Sequence, residues 1–575
     1  TTLNPACPSA HDQQHKRAVM TATSSSLPSY SSFVEKFSIE SVVAKLDDHQ
    51  DGYLNAYEAC CGRHVRQGRG DVLALVHEDT QGQTHTLTYA ELDSQSSQLA
   101  GWFISQGLGE GDRIACMLPR SVNLLVAVLA TWRIGAVYQP LFTAFGPDAV
   151  DYRLGRADTK LVITDHANRY KFDGLSQCPP VLAVGGATSE HGDDLDWQTA
   201  LTYTSMSDAP PRLSPDQPFL QMFTSGTVGK PKGVAVPLAG MTAFALYMEL
   251  AVDLREEDRF WNMADPGWAY GLYYAIAGPL LLGVTTHFCE AGFSAEGALA
   301  FMKRHQITNF AAAPTAYRLM KASGLFDDAH QTLSLRAASS AGEPLNTEVV
   351  TWVEKSLGCP VMDHYGQTET GMTCNNHHSL DHPKHVGAMG VPMPGYRLAI
   401  LDAEYNELPP GEPGVLAVDI KNSPAHFFQG YTWQEKDPFV NGYYLTGDVV
   451  IRNEDGSFQF AGRDDDIITT AGYRVGPTDV ENSVMTHPAV AESAAVGQPD
   501  EIRGEIIKSY IVLRDGYEPS DALAEEIRQQ VRERLSTHAF PRIIEFVDEL
   551  PKTPSGKIQR FKLRAQAAEQ VRHSS

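Results

Sequence analysis

Short apolar runs alternate with helix-period segments along the first half of the chain. The runs Arg113–Met117, 136–140 and 161–164 end near Gly, Pro or Asp and are followed by residues typical of helix starts. A second series lies between residues 309 and 363. This alternation predicts βαβ units, largely parallel sheets and therefore an α/β fold.

The pattern changes after Gly414 to strand-like alternation with polar turns. A charged cluster at 462–466 ends this β-subdomain, and about 110 residues with their own helices and strands follow. We therefore expect a large N-terminal domain of mixed sheets, residues 31–463, and a small α+β domain, residues 464–575. Residues 1–30 are rich in Ser and Thr and are expected to be a disordered extension.

Composition limits the possible partners. The 46 Lys and Arg against 70 Asp and Glu give a net charge of −24, which argues against duplex nucleic acid or an anionic membrane as the main partner. No run approaches the roughly 20 apolar residues of a membrane helix. The 8 cysteines show no metal-ligand spacing and suit a reducing compartment, so we expect a cytoplasmic protein.

Residues 223–233 form the most informative segment. They read Phe-Thr-Ser-Gly-Thr-Val-Gly-Lys-Pro-Lys-Gly and follow a strand-like run at 218–223. Glycines let backbone N–H groups turn toward an anion, while hydroxyls and an ammonium add donors, so the segment predicts a polyphosphate loop. It is not a Walker loop, because Pro rather than Ser or Thr follows the Gly-Lys pair.

Further motifs follow in a fixed order at 341–344, 363–371, 444–448, 472–476 and 551–560. With the loop at 223–233, they make the chain resemble the adenylate-forming (AMP-binding) enzymes over about residues 50–565. The resemblance is to the acyl-CoA synthetase branch, and within it to acetyl- and medium-chain acyl-CoA synthetases. It implies that the protein activates a carboxylic acid with ATP and Mg²⁺ and then transfers the acyl group to coenzyme A.

The resemblance also implies the nucleotide-binding residues. The phosphates would be bound by Thr224, Ser225, Gly226, Thr227, Gly229 and Lys232. Adenine would lie along Gly342, Glu343 and Pro344, with Tyr365 stacked on the base. Asp363 and Gln367 would also belong to the ATP/AMP-binding site. The ribose would be bound by Asp448 and Arg463.

Further roles are implied for the reacting groups. Thr368 would contact the α-phosphate or the acyl carboxylate, Glu369 with Thr227 would bind Mg²⁺, and Arg474 would reach the α-phosphate. Lys557 would enter the site from the small domain to neutralise the carboxylate and the α-phosphate. Its surroundings resemble a site of reversible lysine acetylation, which predicts a protein lysine acyltransferase and a deacylase as partners.

The same resemblance assigns residues to domain rotation and to the second substrate. Asp465 would be the hinge of a mobile small domain. Coenzyme A would meet Gly472, Tyr473 and Arg169.

Several positions depart from the family pattern. Val228 and Ala471 replace residues that usually carry a hydroxyl. Gly366 occupies the place where acetyl-CoA synthetases have a Trp that floors the acyl pocket, and Ala269 lies where Val is common. With Trp268 and Tyr270 as the other pocket residues, these changes predict an acyl chain longer than acetyl, short to medium in length. The alternative is that Tyr270 fills the vacated space.

Other readings stay open at this point. One is a different adenylating enzyme, specific for acetate, an aryl acid or a carrier protein, or an oxidative luciferase. A second, from another class, is a non-catalytic nucleotide-binding regulator, which would predict the loss of Lys557, Glu369 or Asp448. All three residues are present. The sequence indicates no oligomeric state.

Overall fold

A computed structural model provides the structure of the chain. It describes residues 27–224, 231–343, 345, 347–434, 437–464, 466–470, 473–500, 503–534, 539–552 and 556–574. Within these residues the helices are α1 Tyr30–Lys36, α2 Ile39–Leu46, α3 Tyr89–Ser105, α4 Val122–Arg133, α5 Pro147–Ala157, α6 Trp197–Leu201, α7 Gly240–Leu246, α8 Ala269–Gly271, α9 Gly278–Leu281, α10 Ala295–His305, α11 Pro314–Ala322, α12 Thr347–Ser356, α13 Pro477–Met485, α14 Asp521–Arg534 and α15 Arg560–Ser574.

The strands in the same residues are β1 Leu73–Glu78, β2 Thr84–Thr88, β3 Arg113–Met117, β4 Val137–Pro140, β5 Leu161–Asp165, β6 Val181–Val184, β7 Leu195–Asp196, β8 Pro218–Phe223, β9 Gly233–Pro237, β10 Phe260–Asn262, β11 Thr286–Cys289, β12 Asn309–Ala312, β13 Ala337–Ala341, β14 Val361–Gln367, β15 Gly371–Asn375, β16 Ala388–Pro392, β17 Leu398–Leu401, β18 Pro413–Asp419, β19 Tyr431–Thr432, β20 Phe439–Val440, β21 Tyr443–Arg452, β22 Phe458–Arg463, β23 Ile468–Thr470, β24 Tyr473–Val475, β25 Val490–Asp500, β26 Gly504–Leu513 and β27 Ile543–Phe546.

The described strands form three sheets. One runs β19-β9-β8-β4-β3-β5-β6-β7 and a second runs β17-β18-β21-β22-β16-β15-β14-β13-β12-β10-β11-β1-β2, with β20 beside β21. Strands β3, β4, β5 and β6 pair in parallel, with Ile114 opposite Leu161, because α4 and α5 return the chain over the sheet. The predicted α/β class and the strands expected at residues 113, 137, 161 and 309 are confirmed.

Helix starts follow local chemistry in this region. Thr88 caps α3 through the backbone N–H of Glu91, and the Glu91 side chain returns to the backbone of Thr88. Ser121 caps α4 through the N–H of Leu124. Each cap lies between the end of a strand and the start of the next helix. The caps therefore fix where the helices begin in the β–α connections that the apolar pattern predicts.

The N-terminal part of the described chain packs on the large body. Ser29 forms a β-bridge with Asp381, and the Tyr30 hydroxyl donates to the carbonyl of Pro392 at 2.8 Å. The packed part of the N-terminal domain therefore begins before residue 31, the expected boundary. Residues 1–26 of the expected extension lie outside the described residues.

The third sheet, β24-β23-β26-β25 with β27 beside β26, uses only residues after 467. It has its own apolar core, which includes Val480, Ile507, Ile511 and Ile527. Gly476, at the start of α13, lies against β22 so closely that an added Cβ would be 2.0 Å from the Ala461 carbonyl oxygen. The small α+β unit is thus docked on the larger one, while the exact boundary and the hinge at Asp465, outside the described residues, stay predictions.

A membrane-crossing helix would need more length and apolar character than any helix in the described ranges has.

Candidate active site

The phosphate-loop candidate is a hairpin that is closed at its base. Strands β8 and β9 are antiparallel, with Phe223 opposite Gly233. One residue further on, the Thr224 N–H donates to the Lys232 carbonyl at 2.9 Å, and the Lys232 N–H donates to Thr224 Oγ1 at 3.4 Å. Ser225, Gly226, Thr227 and Gly229 lie outside the described residues, so their contacts stay predictions.

A continuous set of polar side chains surrounds Asp448. Tyr365 donates its hydroxyl to Asp448 Oδ2, and Gln367 Nε2 donates to the same oxygen at 3.0 Å. Gln367 Nε2 also donates to the Thr446 carbonyl at 2.9 Å, while its Oε1 accepts from the Tyr444 hydroxyl at 3.0 Å. The amide orientation of Gln367 is therefore fixed by all of its partners, and the Asp448 carboxylate is fixed with it.

Two positive charges face this carboxylate. Strands β21 and β22 place Arg463 opposite Asp448, with Arg463 Nη1 3.7 Å from Asp448 Oδ1. Burial raises the pKa of Asp448, and the charges of Arg463 and of Lys557 oppose that rise. More than 100 residues separate Lys557 from Asp448 in the sequence, so the fold brings this lysine of the small unit to the Asp448 side of the site.

Glu369 lies at the other end of the same site. Its side chain is buried, and the Tyr431 hydroxyl donates to Oε1 at 2.8 Å. Burial raises the pKa of Glu369, and the hydrogen bond from Tyr431 and the charge of Lys232 oppose the rise. A buried carboxylate oxygen is a ligand type that Mg²⁺ accepts, and a divalent cation would compensate its charge, so Glu369 fits the predicted role. Thr227, the second predicted ligand, lies outside the described residues.

The predicted adenine segment is open. Gly342 has φ +98° and nothing within 4 Å of the place where a Cβ would be, so a flat base could approach the backbone here. Glu343 accepts from Arg318 Nη2 at 2.7 Å and from Thr315 Oγ1 at 3.0 Å, which turns its carboxylate toward α11. Pro344 lies outside the described residues.

Asp363 belongs to the same side of the site, on β14. Burial raises its pKa to about 8, although the backbone N–H groups of Leu345 and His364 donate to it. The carboxyl group is therefore largely protonated at neutral pH and offers a donor as well as an acceptor.

The predicted acyl-pocket residues lie together, but Gly366 has a second explanation. An added Cβ at Gly366 would lie 2.1 Å from the Gly371 carbonyl oxygen, because β14 and β15 approach closely beside a bulge at Tyr365. The backbone at this corner therefore excludes every side chain at residue 366, which is a second reason for glycine there.

The other predicted acyl-pocket residues pack among aromatic rings. Trp268 packs against Phe142 and Phe145, with ring centroids 5.4 Å apart in each case. Tyr270 packs edge-on against Tyr274 at 5.9 Å, and Ala269 begins α8 between these two groups. Thr368 contributes its backbone carbonyl to the Tyr273 hydroxyl at 2.9 Å.

The remaining predicted residues are those assigned to coenzyme A and to the α-phosphate from the small domain. Tyr473 and Arg474 lie on β24, with Arg474 opposite Thr469, and Gly472 lies outside the described residues. Arg169 donates to both oxygens of Asp194 at 2.6 and 2.9 Å and to Asp173 at 2.8 Å. Since this guanidinium is already engaged within its own loop, its role in coenzyme A binding stays a prediction.

Tyr431 was not expected from the sequence. It lies on β19, far along the chain from the phosphate loop, and only the pairing of β19 with β9 brings it to the site. No local motif marks such a residue, because the signal is a non-local strand pairing.

Comparisons with known proteins agree with this geometry. Residues 62–432 match the model of the AMP-binding enzyme family, and residues 479–557 match the AMP-binding enzyme C-terminal domain. An acetyl-coenzyme A synthetase of Bacillus subtilis is 37% identical over 525 residues, which are 89% of this chain and 91% of that protein. The acetyl-coenzyme A synthetase of Rhodobacter capsulatus is 34% identical over 90% of this chain and 83% of its own length.

Solved structures show the same similarity. The crystal structure of a Brucella canis acyl-CoA synthetase is 46% identical with a TM-score of 0.76, covering 95% of this chain and 100% of that one. An anthranilate CoA ligase in complex with anthranoyl-AMP is 26% identical with a TM-score of 0.82, covering 91% and 99%.

The two family models and the acetyl- and acyl-CoA synthetases that match nearly the whole chain identify an AMP-forming acid–thiol ligase. The chain belongs to the AMP-binding enzyme family, as an adenylate-forming acyl-CoA synthetase whose substrates are ATP and coenzyme A and whose cofactor is Mg²⁺.

Proposed function

We propose that the protein activates a short- to medium-chain carboxylic acid longer than acetate as an acyl-adenylate and transfers the acyl group to coenzyme A. The observation that carries the activation step is the convergence of Arg463 and Lys557 on Asp448, beside Tyr365 and Gln367. In this arrangement the large domain would bind the ribose while the small domain delivers a mobile positive charge.

The chemistry would be carboxylate + ATP → acyl-AMP + diphosphate, then acyl-AMP + CoA → acyl-CoA + AMP. Asp448 and Arg463 would bind the ribose, Tyr365 and Asp363 the adenine, and Lys232 the phosphates. Lys557 would neutralise the repulsion between the carboxylate and the α-phosphate, assisted by Thr368 and Arg474. Bound Mg²⁺ supplies charge neutralisation on the phosphates, and Glu369 would bind it.

The second half-reaction would use another domain arrangement. Rotation about Asp465 would withdraw Lys557 and bring Gly472 and Tyr473 to the site for coenzyme A. The close fit of Gly476 against Ala461 supports a defined docked state that such a rotation would leave.

The acyl preference rests on Gly366 and Ala269. Since the Gly371 backbone excludes any side chain at residue 366, the pocket wall on this side would have to come from another residue, such as Tyr270. Acetate is the competing substrate, because the curated relatives described above are named acetyl-coenzyme A synthetases.

A cytoplasmic location is part of the same proposal. The seven cysteines in the described ranges are all free thiols, as expected in a reducing compartment. Lys557 is exposed in this arrangement, which would make it accessible to a lysine acyltransferase and a deacylase. Acylation would remove its charge and block the first half-reaction.

The test is carboxylate-dependent ATP–diphosphate exchange with acetate, propionate, isobutyrate, hexanoate, octanoate and benzoate, repeated with coenzyme A to detect the thioester. We expect the highest kcat/KM for an aliphatic acid longer than acetate, with steps of about fourfold per methylene at about 0.8 kcal/mol each. A preference for acetate would contradict the acyl assignment. Exchange with none of the acids would contradict activation itself.

A further inference from the structure

The segment Tyr431–Trp433 connects the β-subdomain to the sheet that carries the phosphate loop. Its two-residue strand β19 adds to the edge of β9, with Tyr431 opposite Val234 and Thr432 opposite Gly233. Gly233 is also the last residue of the predicted phosphate-loop segment 223–233. Tyr431–Trp433 therefore lies beside the described C-terminal end of that segment, although about 200 residues separate the two in sequence.

Trp433 fixes this segment in place. It adopts φ +63°, which is uncommon for a residue with a side chain, and its ring stacks on Phe223 at 5.9 Å with an interplanar angle of 23°. A Cβ at Gly233 would lie 2.5 Å from the indole, so only glycine permits this packing. The Trp433 carbonyl accepts from Arg156 Nη2 at 3.1 Å. The position of the neighbouring Tyr431 is consequently well determined.

Tyr431 contacts two groups that the proposed function assigns to the ATP phosphates. Its hydroxyl donates to Glu369 Oε1 at 2.8 Å, and its ring face lies 4.6 Å from the Lys232 ammonium. A hydrogen bond to one carboxylate oxygen restricts the rotation of Glu369 and so orients the second oxygen. A cation–π contact attracts the ammonium without using its N–H donors, which stay available for phosphate.

The hydroxyl of Tyr431 has one proton, and it donates this proton to Glu369. The neighbouring Tyr444 hydroxyl lies 3.5 Å away but donates to Gln367, so it does not supply a proton to Glu369. Loss of the Tyr431 hydroxyl would therefore leave Glu369 without this donor, and Tyr444 could replace it only by giving up Gln367.

We propose that Tyr431 is a positioning residue for adenylation, which orients Glu369 and the Lys232 ammonium toward the polyphosphate of Mg²⁺-bound ATP. The inference rests on the proposed function, because the roles of Glu369 and Lys232 come from it. Once diphosphate has left, the two oriented groups have no ligand, so Tyr431 matters to the first half-reaction and not to the second.

Tyr431→Phe tests the proposal, because it keeps the ring and removes only the hydroxyl. We expect the dissociation constant of Mg²⁺-ATP, measured by calorimetry without carboxylate, to rise about tenfold, and adenylation measured by diphosphate exchange to fall by a similar factor. Thioester formation from supplied acyl-adenylate stays at the wild-type rate. A merely structural role would lower both half-reactions together.

Tyr443→Phe is the matched control. The Tyr443 hydroxyl donates to Glu407 Oε1 at 2.7 Å, which is the same kind of bond, but at the surface and away from the nucleotide. We expect this variant to match the wild type in ATP binding and in both half-reactions.

Tyr431→Leu provides a second measurement. It also removes the ring, so Mg²⁺-ATP binding should weaken a further twofold to fivefold beyond Tyr431→Phe, as expected for a half-buried cation–π contact. Wild-type ATP affinity and exchange in Tyr431→Phe, or equal losses in the two half-reactions, would overturn the proposal. Failure of the wild type itself to catalyse exchange with any carboxylate would instead overturn the proposed function.

Discussion

The two sides of the active site are built differently. The side proposed to bind the ribose lies within the large domain, where Asp448 is buried and Tyr365 and Gln367 donate to the same carboxylate oxygen. The side contributed by the small domain depends on Lys557, an exposed residue whose charge acts on Asp448 and which belongs to a unit with its own sheet and its own core. In the proposed function the first side is preorganised and the second is delivered, which would suit an enzyme that needs the lysine for only one of two reactions.

The delivered side should show the largest effect. Lys557→Ala removes the charge that offsets the repulsion between the carboxylate and the α-phosphate, so diphosphate exchange should fall by about 10²- to 10³-fold. Thioester formation from supplied acyl-adenylate should stay within about twofold of wild type. Equal loss of both reactions would show that Lys557 acts in both half-reactions, as the ribose-binding residues are proposed to do.

The preorganised side should respond in both reactions. Asp448→Asn keeps the shape but removes the charged acceptor for the ribose, so nucleotide binding should weaken about 10- to 100-fold. Because AMP stays bound throughout, the KM for ATP and the KM for acyl-adenylate should both rise. A change confined to the first half-reaction would contradict the comparison.

The docking of the small domain can be tested without touching either side. Gly476→Ala places a methyl group against the Ala461 carbonyl, where the distance is 2.0 Å, although φ −70° and ψ 127° at this residue suit alanine. Adenylation should fall about tenfold, with a smaller change in thioester formation, because the docked arrangement becomes crowded.

Gly146→Ala is the control for this prediction. Gly146 also precedes a helix with extended backbone angles, φ −82° and ψ 172°, and has nothing within 4 Å of an added Cβ. We expect it to leave both half-reactions unchanged. Parallel losses in the two glycine variants would attribute the effect to helix capping and not to domain docking.

Asp363 should show a smaller effect, on stability. The pKa of Asp363 is about 8 in the folded protein against an ordinary value of 3.8 for an Asp side chain, so between these pH values the folded state binds a proton that the unfolded chain releases. The free energy of unfolding therefore falls as pH rises through this range. Asp363→Asn cannot ionise, so its Tm relative to wild type should be higher at pH 8 than at pH 5, on the order of a few °C. An equal Tm difference at both pH values would contradict the shifted pKa.

Much of this fold is predictable from the sequence. The apolar runs at 113–117 and 161–164 become neighbouring parallel strands, and the strands that flank the predicted turn at 225–230 pair in antiparallel. These features are local, since periodicity and glycine placement act over a few residues. The motifs are local as well, so they can be recognised one by one, and their order along the chain identifies the class of enzyme.

The non-local parts of the site are not predictable in this way. Tyr431 reaches Glu369 through a strand pairing that spans 200 residues, and no short pattern encodes it. Gly366 looks like a deleted side chain, but the approach of the Gly371 carbonyl shows a backbone constraint. Arg169 looks like a free cation after a strand, but Asp194 already binds its guanidinium. In each case the deciding partner lies elsewhere in the chain.

The most direct test of the central claim is to trap the intermediate. The wild-type enzyme is mixed with excess ATP, Mg²⁺ and an accepted carboxylate in the absence of coenzyme A, quenched, and analysed by mass spectrometry for acyl-AMP. We predict about one acyl-AMP per active site, which a chase of coenzyme A converts to acyl-CoA and AMP without an observable lag. Formation of ADP and phosphate, or an adenylate that coenzyme A does not consume, would contradict activation through an acyl-adenylate followed by thioester formation.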